Sequence, residues 1–302
     1  GRDYSLGGIT LLCKFDGQRV TMASQIAGAD ETVSSLYSVK SEQATMLSFD
    51  TYNYLVHYFG QPQGSMADDP NGTLGGDYEF VISDATADRI ELKGKKYGNR
   101  IVMKAFSADQ TWKQYLTRIK KVEDDAFFYE YDLRMDGLYT GQMLRSNYTF
   151  IVTYYDEVGK VHQKTVPFMF TTDGMRFHEP VTIDGQTMQN FVWKNEEISF
   201  VCTDEGATEV KLAGVYTAGY QSYDYYPGTY QMDFYRLNDA TNQMEVASHE
   251  IQLVKDEDGK SYWLKGLEYD ILVTYDKPRG GLSILPQFLK KVQGLSLIHI
   301  SE

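Results

Sequence analysis

Positive charge is scarce in this chain, and so is cysteine. Against 42 aspartates and glutamates there are 29 lysines and arginines, for a formal net charge of -13. A surface of that sign repels phosphate backbones, which argues against nucleic acid as a partner. The two cysteines, Cys13 and Cys202, stand far apart in separate strand-like runs of a 302-residue chain. Two cysteines in so long a chain make no disulfide scaffold. They read first as small buried hydrophobes, with a bridge between them left open. No uncharged apolar stretch reaches about 18 residues, so no helix is expected to span a membrane.

The usual signatures of chemistry are missing too. There is no His-Glu-x-x-His, and no two histidines have metal-ligand spacing. There is no Gly-x-Ser-x-Gly, hence no nucleophile elbow. GTLGGD, residues 72–77, lacks the spacing and the following helix of a nucleotide-binding loop. No cofactor and no catalytic residue is expected.

What the chain does have is strand-forming material. Hydrophobic residues make up 42%, with 24 tyrosines and 15 phenylalanines, enough to bury cores in two or three units. Short apolar and period-two runs alternate with Asp-Gly, Asn-Gly and Gly-Lys turns. NYTFIVTYYDE and VHQKTVPFMFT around Gly159-Lys160 predict a hairpin, and the block from about Gly228 predicts an antiparallel meander of about five strands. One helix stands out near 107–123. Ser107 to Gln110 has the form of a capping box, and Trp112, Tyr115, Leu116, Ile119 and Val122 recur at helical spacing, predicted to face the sheet around 78–106. The expected fold is mainly β: antiparallel meanders or open barrel-like sheets in units 1–137, 138–213 and 214–294, with this single helix.

Two segments suggest an internal repeat, the middle unit copying the first. Aligning Leu47–His57 with Phe168–His178 superposes Phe49 on Phe170, Asn53 on Gly174 and His57 on His178. Asn and Gly both tolerate positive φ, so a shared turn is expected there. The ends read as artificial. Residue 1 is a glycine followed closely by a strand, which suggests truncation. Leu295–Glu302, LSLIHISE, equals an in-frame translation of a transposon-end sequencing adapter and is expected to be read-through on a metagenomic fragment.

Candidate sites are few. His299 lies in that tail; His57, His162, His178 and His249 remain, each isolated in sequence. The acidic loop 67–77 offers Asp68, Asp69, Asn71 and Asp77 as oxygen ligands, but lacks the alternating spacing of a calcium loop, so a solvated loop is favoured. Lys93, Lys95 and Lys96 form a basic spot that reads as a turn with solvated ends or an anion contact. The densest feature is GVYTAGYQSYDYYPGTYQMDFY, residues 214–235, in which seven of twenty-two positions are tyrosine. Alternation in YQMDFY places Tyr230, Met232 and Phe234 on one face, expected in the core, and Tyr235 outside. Tyr220, Tyr223, Tyr225 and Tyr226 sit among Gly, Gln, Ser, Asp and Pro. Packing on their own sheet is favoured for them. They are also the leading ligand candidates, with at least two expected to be exposed together as stacking surfaces for a sugar or another flat partner.

GDYEF (76–80), LKGKK (92–96), GGITLLCKF (7–15) and LSFDTYN (47–53) carry a resemblance over most of residues 1–290. The chain resembles an uncharacterised domain-of-unknown-function family of Bacteroidetes cell-envelope lipoproteins. The resemblance implies an exported protein, lipid-anchored at the outer membrane surface or in the periplasm, whose anchor would lie outside this fragment. Cys13, within a strand motif, is not the lipidated cysteine. The expected role is a non-enzymatic binding protein serving nutrient capture beside an outer-membrane receptor. The alternatives are a hydrolase or protease-associated subunit acting on glycans or peptides, and a structural envelope adaptor. The family supplies no catalytic residues to transfer.

Overall fold

The computed structural model describes residues 7–41, 44–61, 74–156, 158–238 and 240–288. Leu295–Glu302 lies outside them. The fold is mainly β and antiparallel, in two compact units, Gly1–Val215 and Tyr216–Glu302.

The larger unit opens with a seven-stranded sheet in sequential order: β1 Leu11–Asp16, β2 Arg19–Ser24, β3 Val33–Ser41, β4 Thr45–Phe49, β5 Glu79–Ala85, β6 Arg89–Gly94 and β7 Arg100–Lys104. Val20, Met22, Leu47, Phe49, Phe80 and Leu92 form its core, joined by Leu55 and Val56 of a short helix, α1 (Tyr54–His57). The sequence pattern missed α1. Asn53 starts it by accepting from the Leu55 N–H at 3.1 Å, while its own amide donates to Ser35 Oγ at 3.1 Å.

The two signatures GDYEF and LKGKK turn out to be one physical device. Asp77 is buried, and its carboxylate accepts the backbone N–H groups of Lys96 (2.8 Å), Tyr97 (2.9 Å) and Asn99 (3.2 Å), plus Asn99 Nδ2 at 2.6 Å. Gly94 is glycine because a Cβ there would lie 1.8 Å from Asp77 Oδ2. The basic turn therefore has three of its backbone donors committed to Asp77, and Asp77 is an internal clamp.

The helix predicted near 107–123 is α2, Trp112–Asp125. Its capping box is Thr111 with Gln114, not Ser107 with Gln110: Thr111 has the extended backbone a cap needs, and its hydroxyl accepts the Gln114 N–H. The helix also faces differently from expectation. Leu116 packs on Leu12 and Ala23 of β1 and β2, while Ile119 and Val122 join the core of the next sheet. One stripe thus serves two hydrophobic cores, one after the other.

That next sheet is closed rather than open. β8 Glu130–Met135, β9 Leu138–Ser146, β10 Thr149–Tyr155, β11 Val161–Phe170, β12 Gly174–Ile183, β13 Gln186–Lys194, β14 Ser199–Cys202 and β15 Lys211–Val215 run as an up-and-down barrel, completed where β15 pairs with β8 from Lys211↔Arg134 to Val215↔Glu130. The expected unit boundary after residue 137 is wrong for this reason. It falls in the β8–β9 turn, where Asp136 and Gly137 take φ of 50° and 78°, and would tear one strand from the barrel. Tyr131, Phe150, Phe168, Phe170, Phe177 and Phe200 fill the interior, as expected of an eight-stranded barrel just wide enough for side chains.

The repeat also fails. Leu47–His57 runs from β4 into α1, whereas Phe168–His178 is the β11–β12 hairpin. Asn53 sits at φ -136° as a helix cap, and Gly174 lies in a strand whose Cβ position is filled by the Phe191 carbonyl at 1.9 Å. The two positions share no turn. The two thiols are unpaired, Cys13 in β1 and Cys202 in β14, and burial pushes them up to about 12 and about 11 respectively.

The smaller unit is the anticipated five-stranded meander: β16 Gly228–Asn238, β17 Gln243–Lys255, β18 Ser261–Lys265, β19 Ile271–Asp276 and β20 Gly281–Ser283. β16 and β17 pair without interruption from Gly228↔Leu253 to Asn238↔Gln243, but β18 joins β17 only over Gln252–Lys255. The far part of the pair therefore projects as a two-stranded ribbon. This corrects the expected burial of YQMDFY. Met232 packs on the core, but Tyr230 is exposed and Phe234, half-buried, stacks on His249 with centroids 5.4 Å apart. Tyr235 faces out, as the alternation requires.

Both the clamp and the shared helix can be tested through stability. Replacing Asp77 by Ala leaves three backbone donors without their acceptor and is expected to cost about 2–4 kcal/mol in urea unfolding; an unchanged midpoint would show that the clamp is dispensable. Leu116→Ala removes a fully buried side chain and is expected to cost about 2–5 kcal/mol, read in the same titration; a loss near zero would place α2 free on the surface.

Candidate binding site

The tyrosine-rich loop before β16 is stapled to its own sheet. Tyr223 donates its hydroxyl to the Ser261 carbonyl (2.7 Å), Tyr226 to the Gly280 carbonyl (2.6 Å) and Tyr230 to the Tyr226 carbonyl (2.7 Å). In return Tyr262 donates to the Tyr223 carbonyl (2.6 Å) and Tyr275 to the Gln221 carbonyl (2.8 Å), with the Tyr220 hydroxyl 2.9 Å from that of Tyr275. The rings interlock as well: Tyr223 lies 4.7 Å from Tyr262 and 5.6 Å from Tyr275, centroid to centroid. Each phenol thus pairs an apolar face with a donor that satisfies an irregular backbone carbonyl. Of the four ligand candidates only Tyr225 is exposed, at 60%; Tyr220, Tyr223 and Tyr226 are half-buried. The expected pair of exposed neighbouring rings is absent, because the hydroxyls find better use against the sheet.

Asp68, Asp69 and Asn71 lie outside the described residues, and Asp77 is the clamp described above. Among the described residues no three His, Cys, Asp or Glu side chains gather as a metal site. The histidines are dispersed. His57, in α1, stacks on Tyr78 (5.0 Å, 17°) and accepts the Asn53 N–H at 3.2 Å. His178, in β12, has its ring against Gly8, where a Cβ would lie 2.8 Å from Nε2, and burial lowers its pKa.

His162 is different in its surroundings. It lies near the barrel end formed by the β8–β9, β10–β11, β12–β13 and β14–β15 connections. The opposite end is occupied by α2 and the residues just after it: Tyr148 donates to Glu123 at 2.8 Å, and the Arg145 guanidinium lies 4.5 Å over the Phe127 ring. At the first end, Ala207 and Val210 of the β14–β15 connection are buried in the barrel core. A depression of about 410 Å³ opens there, lined by Tyr154, Tyr155, Asp156, Val158, Asp184 and Gly185. One wall is rigid. Asp156 accepts from the Val158 N–H (3.1 Å), the Lys160 N–H (2.8 Å) and His162 Nε2 (2.8 Å), and the bond from His162 leads in holding its carboxyl below the usual range. His162 in turn stacks on Tyr154 (5.3 Å, 20°). The other wall is an Asp-Gly turn, with Asp184 at φ 48° and Gly185 at 75°. Its carboxylate makes no hydrogen bond among the described residues. Next to it, Gln186 donates to Asp136 at 3.5 Å, while its Oε1 is buried without a partner among the described residues. Tyr155 is 52% exposed and Val158 87%. Sequence reasoning passed over this site, since its residues are spread across two hairpins that the β11–β12 pairing sets side by side.

Comparison with known proteins adds family membership and nothing on chemistry. A family model described as a domain of unknown function (DUF4302) matches residues 1–195, and a second, also described as a domain of unknown function (DUF4987), matches residues 203–300. No curated protein and no solved structure matches.

The tyrosine staples carry a pH signature. Burial, first, raises the pKa of Tyr262 and of Tyr275, the latter helped by its bond with Tyr220, and burial raises that of Tyr223. Folding therefore favours the neutral phenols. The stability they contribute is complete below the unfolded value of roughly 10 and is lost as pH rises toward the folded values. The urea midpoint, read through Trp263 fluorescence in a Trp112→Phe, Trp193→Phe background, is expected to fall between pH 8 and pH 11, and to fall less in Tyr275→Phe. Equal falls in the two proteins would disprove the assignment.

Proposed function

We propose a binding role for this chain, which belongs to the DUF4302 family: it captures a ligand at the bacterial cell envelope without transforming it. The observation that carries this is the open, aromatic depression between the β10–β11 and β12–β13 turns of a barrel whose interior is filled. An enclosed pocket with converging titratable groups would suit catalysis; here the ring faces and carboxylates of a shallow site suit recognition. No helix among the described residues is long and apolar enough to cross a membrane. Attachment through a lipid anchor, at the outer membrane surface or in the periplasm beside a receptor, is the setting we infer from the resemblance borne by GDYEF and LKGKK.

The test is a calorimetric screen of the chain against neutral glycans, peptides and small metabolites, with chromatography of each mixture after prolonged incubation. Saturable binding of one class with the ligand recovered intact is expected. Turnover of any ligand would overturn the non-catalytic role, and failure to bind any class would overturn the capture role.

A further inference from the structure

We propose that β16 is an assembly edge, and that β16 of a second copy of this chain pairs with it antiparallel about a two-fold axis. An edge strand turns alternate N–H and C=O groups away from its sheet, and folded proteins blunt such edges by shortness, charge, proline, bulges or cover. The far edge of the five-stranded sheet is blunted, since β20 has only 3 residues. The edges of the seven-stranded sheet are managed too: β1 packs against α2 through Leu12, and the short β7 is bracketed by Arg100 and Lys104. β16 has none of these devices. It runs for 11 residues without proline or lysine, pairs with β17 without a register shift, and is exposed along most of its length. Among the described residues, the backbone of 228–237 bonds to β17 alone.

The charge pattern selects the occupant. Copies of a chain with net charge -13 repel one another, so they meet most readily where the local surface is neutral. β16 carries one acid and one base, and both are engaged inside the ribbon. Arg236 binds Glu245 at 2.8 Å, and Asp233 accepts from Ser248, and from Gln231 at 3.3 Å. The ribbon's other edge, residues 243–250 of β17, carries Glu245 and Glu250 and is disfavoured. Symmetry then limits the register. About a two-fold axis normal to the sheet, directly opposite side chains share a face, so the axis passes through one residue. An axis on Asp233 or Arg236 sets like charges opposite each other, which is destabilising. An axis on Phe234 pairs 230–238 of the two copies, wholly within the ribbon beyond β18, which meets β17 only from Gln252, the partner of Thr229. An axis on Met232 runs an equal ladder back to Gly228, next to the stapled tyrosine loop, and is less open. With Phe234 at the centre, Phe234 faces its own copy, Met232 faces Arg236 and Tyr235 faces Asp233. No like charges meet, and an aromatic cross-strand pair holds the middle. A second copy thus carries the complement of this edge in its own sequence. The rival contact is face to face, through Tyr235, Leu237, Met244 and Val246, which are exposed together on one side of the ribbon.

The experiment follows sedimentation of the chain over a concentration series, with amide hydrogen exchange measured at its two ends. A reversible monomer–dimer equilibrium is expected, with exchange in 229–237 slowed as the dimer forms. Three variants are compared: Tyr235→Asp, Tyr235→Lys and, as the charge control in the larger unit, Leu138→Asp. Both side chains are exposed, so melting temperatures close to that of the parent establish that each variant is folded. A symmetric dimer holds the contact between residues 235 and 233 twice, so Tyr235→Asp is expected to weaken dimerisation roughly tenfold. Tyr235→Lys sets a cation against Asp233 and is expected to leave the dimer as tight as the parent's or tighter, and Leu138→Asp to leave it unchanged. A chain that stays monomeric at millimolar concentration overturns the proposal. A dimer whose 229–237 amides exchange as fast as the monomer's is the face-to-face contact and overturns the edge. Equal weakening by Tyr235→Asp and Tyr235→Lys overturns the pairing about Phe234. The capture role stands or falls apart from all of these outcomes.

Discussion

Closure of the eight-stranded barrel is the constraint on which the larger unit depends. The five register pairs between β15 and β8 join the first and last strands, so neither is left as an edge to protect or cover. Closure at this strand number also leaves an interior that side chains must fill, and Tyr131 with the buried phenylalanines fills it. A ligand therefore has no room inside. One end is taken by the end of α2 and the residues after it, with Arg145 and Tyr148 as fasteners. The other end receives the β14–β15 connection, with Ala207 and Val210 buried in the core, so what is left for recognition is the surface between the β10–β11 and β12–β13 turns.

Helix α2 shows how closely two cores can share one element. Leu116 belongs to the contact with β1 and β2, and Ile119 and Val122 one and two turns later belong to the barrel. A side chain every three or four residues lies on one face, so a single stripe, read along its length, can pass from one partner to the next. The seven-stranded sheet and the barrel thereby fall within one compact unit, despite having separate strand ladders.

Irregular backbone is satisfied by side chains in the same manner throughout. Asp77 gathers the donors of the 95–99 turn, Asn53 caps α1, and the phenols of Tyr223, Tyr226, Tyr262 and Tyr275 serve carbonyls around the 220–226 loop. Backbone polar groups outside ladders must find partners once water is removed. Such clamps are built from residues that sequence inspection readily takes for binding groups. An aspartate in an acidic loop and a cluster of tyrosines both resemble ligand contacts until their partners are seen. The depression between the two hairpin turns differs in that the Asp184 carboxylate, one of its walls, makes no hydrogen bond among the described residues.

The sequence by itself determined the β class, the hairpin on Gly159-Lys160, the five-strand meander and the amphipathic helix, because alternation, turn residues and helical spacing are local properties written in consecutive residues. It also marked Asp77 and Gly94 as parts of a signature without revealing that they touch. Tertiary structure decided the rest. Whether eight strands close depends on β8 meeting β15 about eighty residues later, which no local pattern encodes. Which core each α2 residue enters, and whether a tyrosine hydroxyl faces water or a carbonyl, depend on what lies opposite. The candidate site belongs to this second group: Tyr155 and Asp184 are unremarked singles in the sequence and become the walls of one depression only when β11 pairs with β12 and sets the β10–β11 and β12–β13 turns side by side.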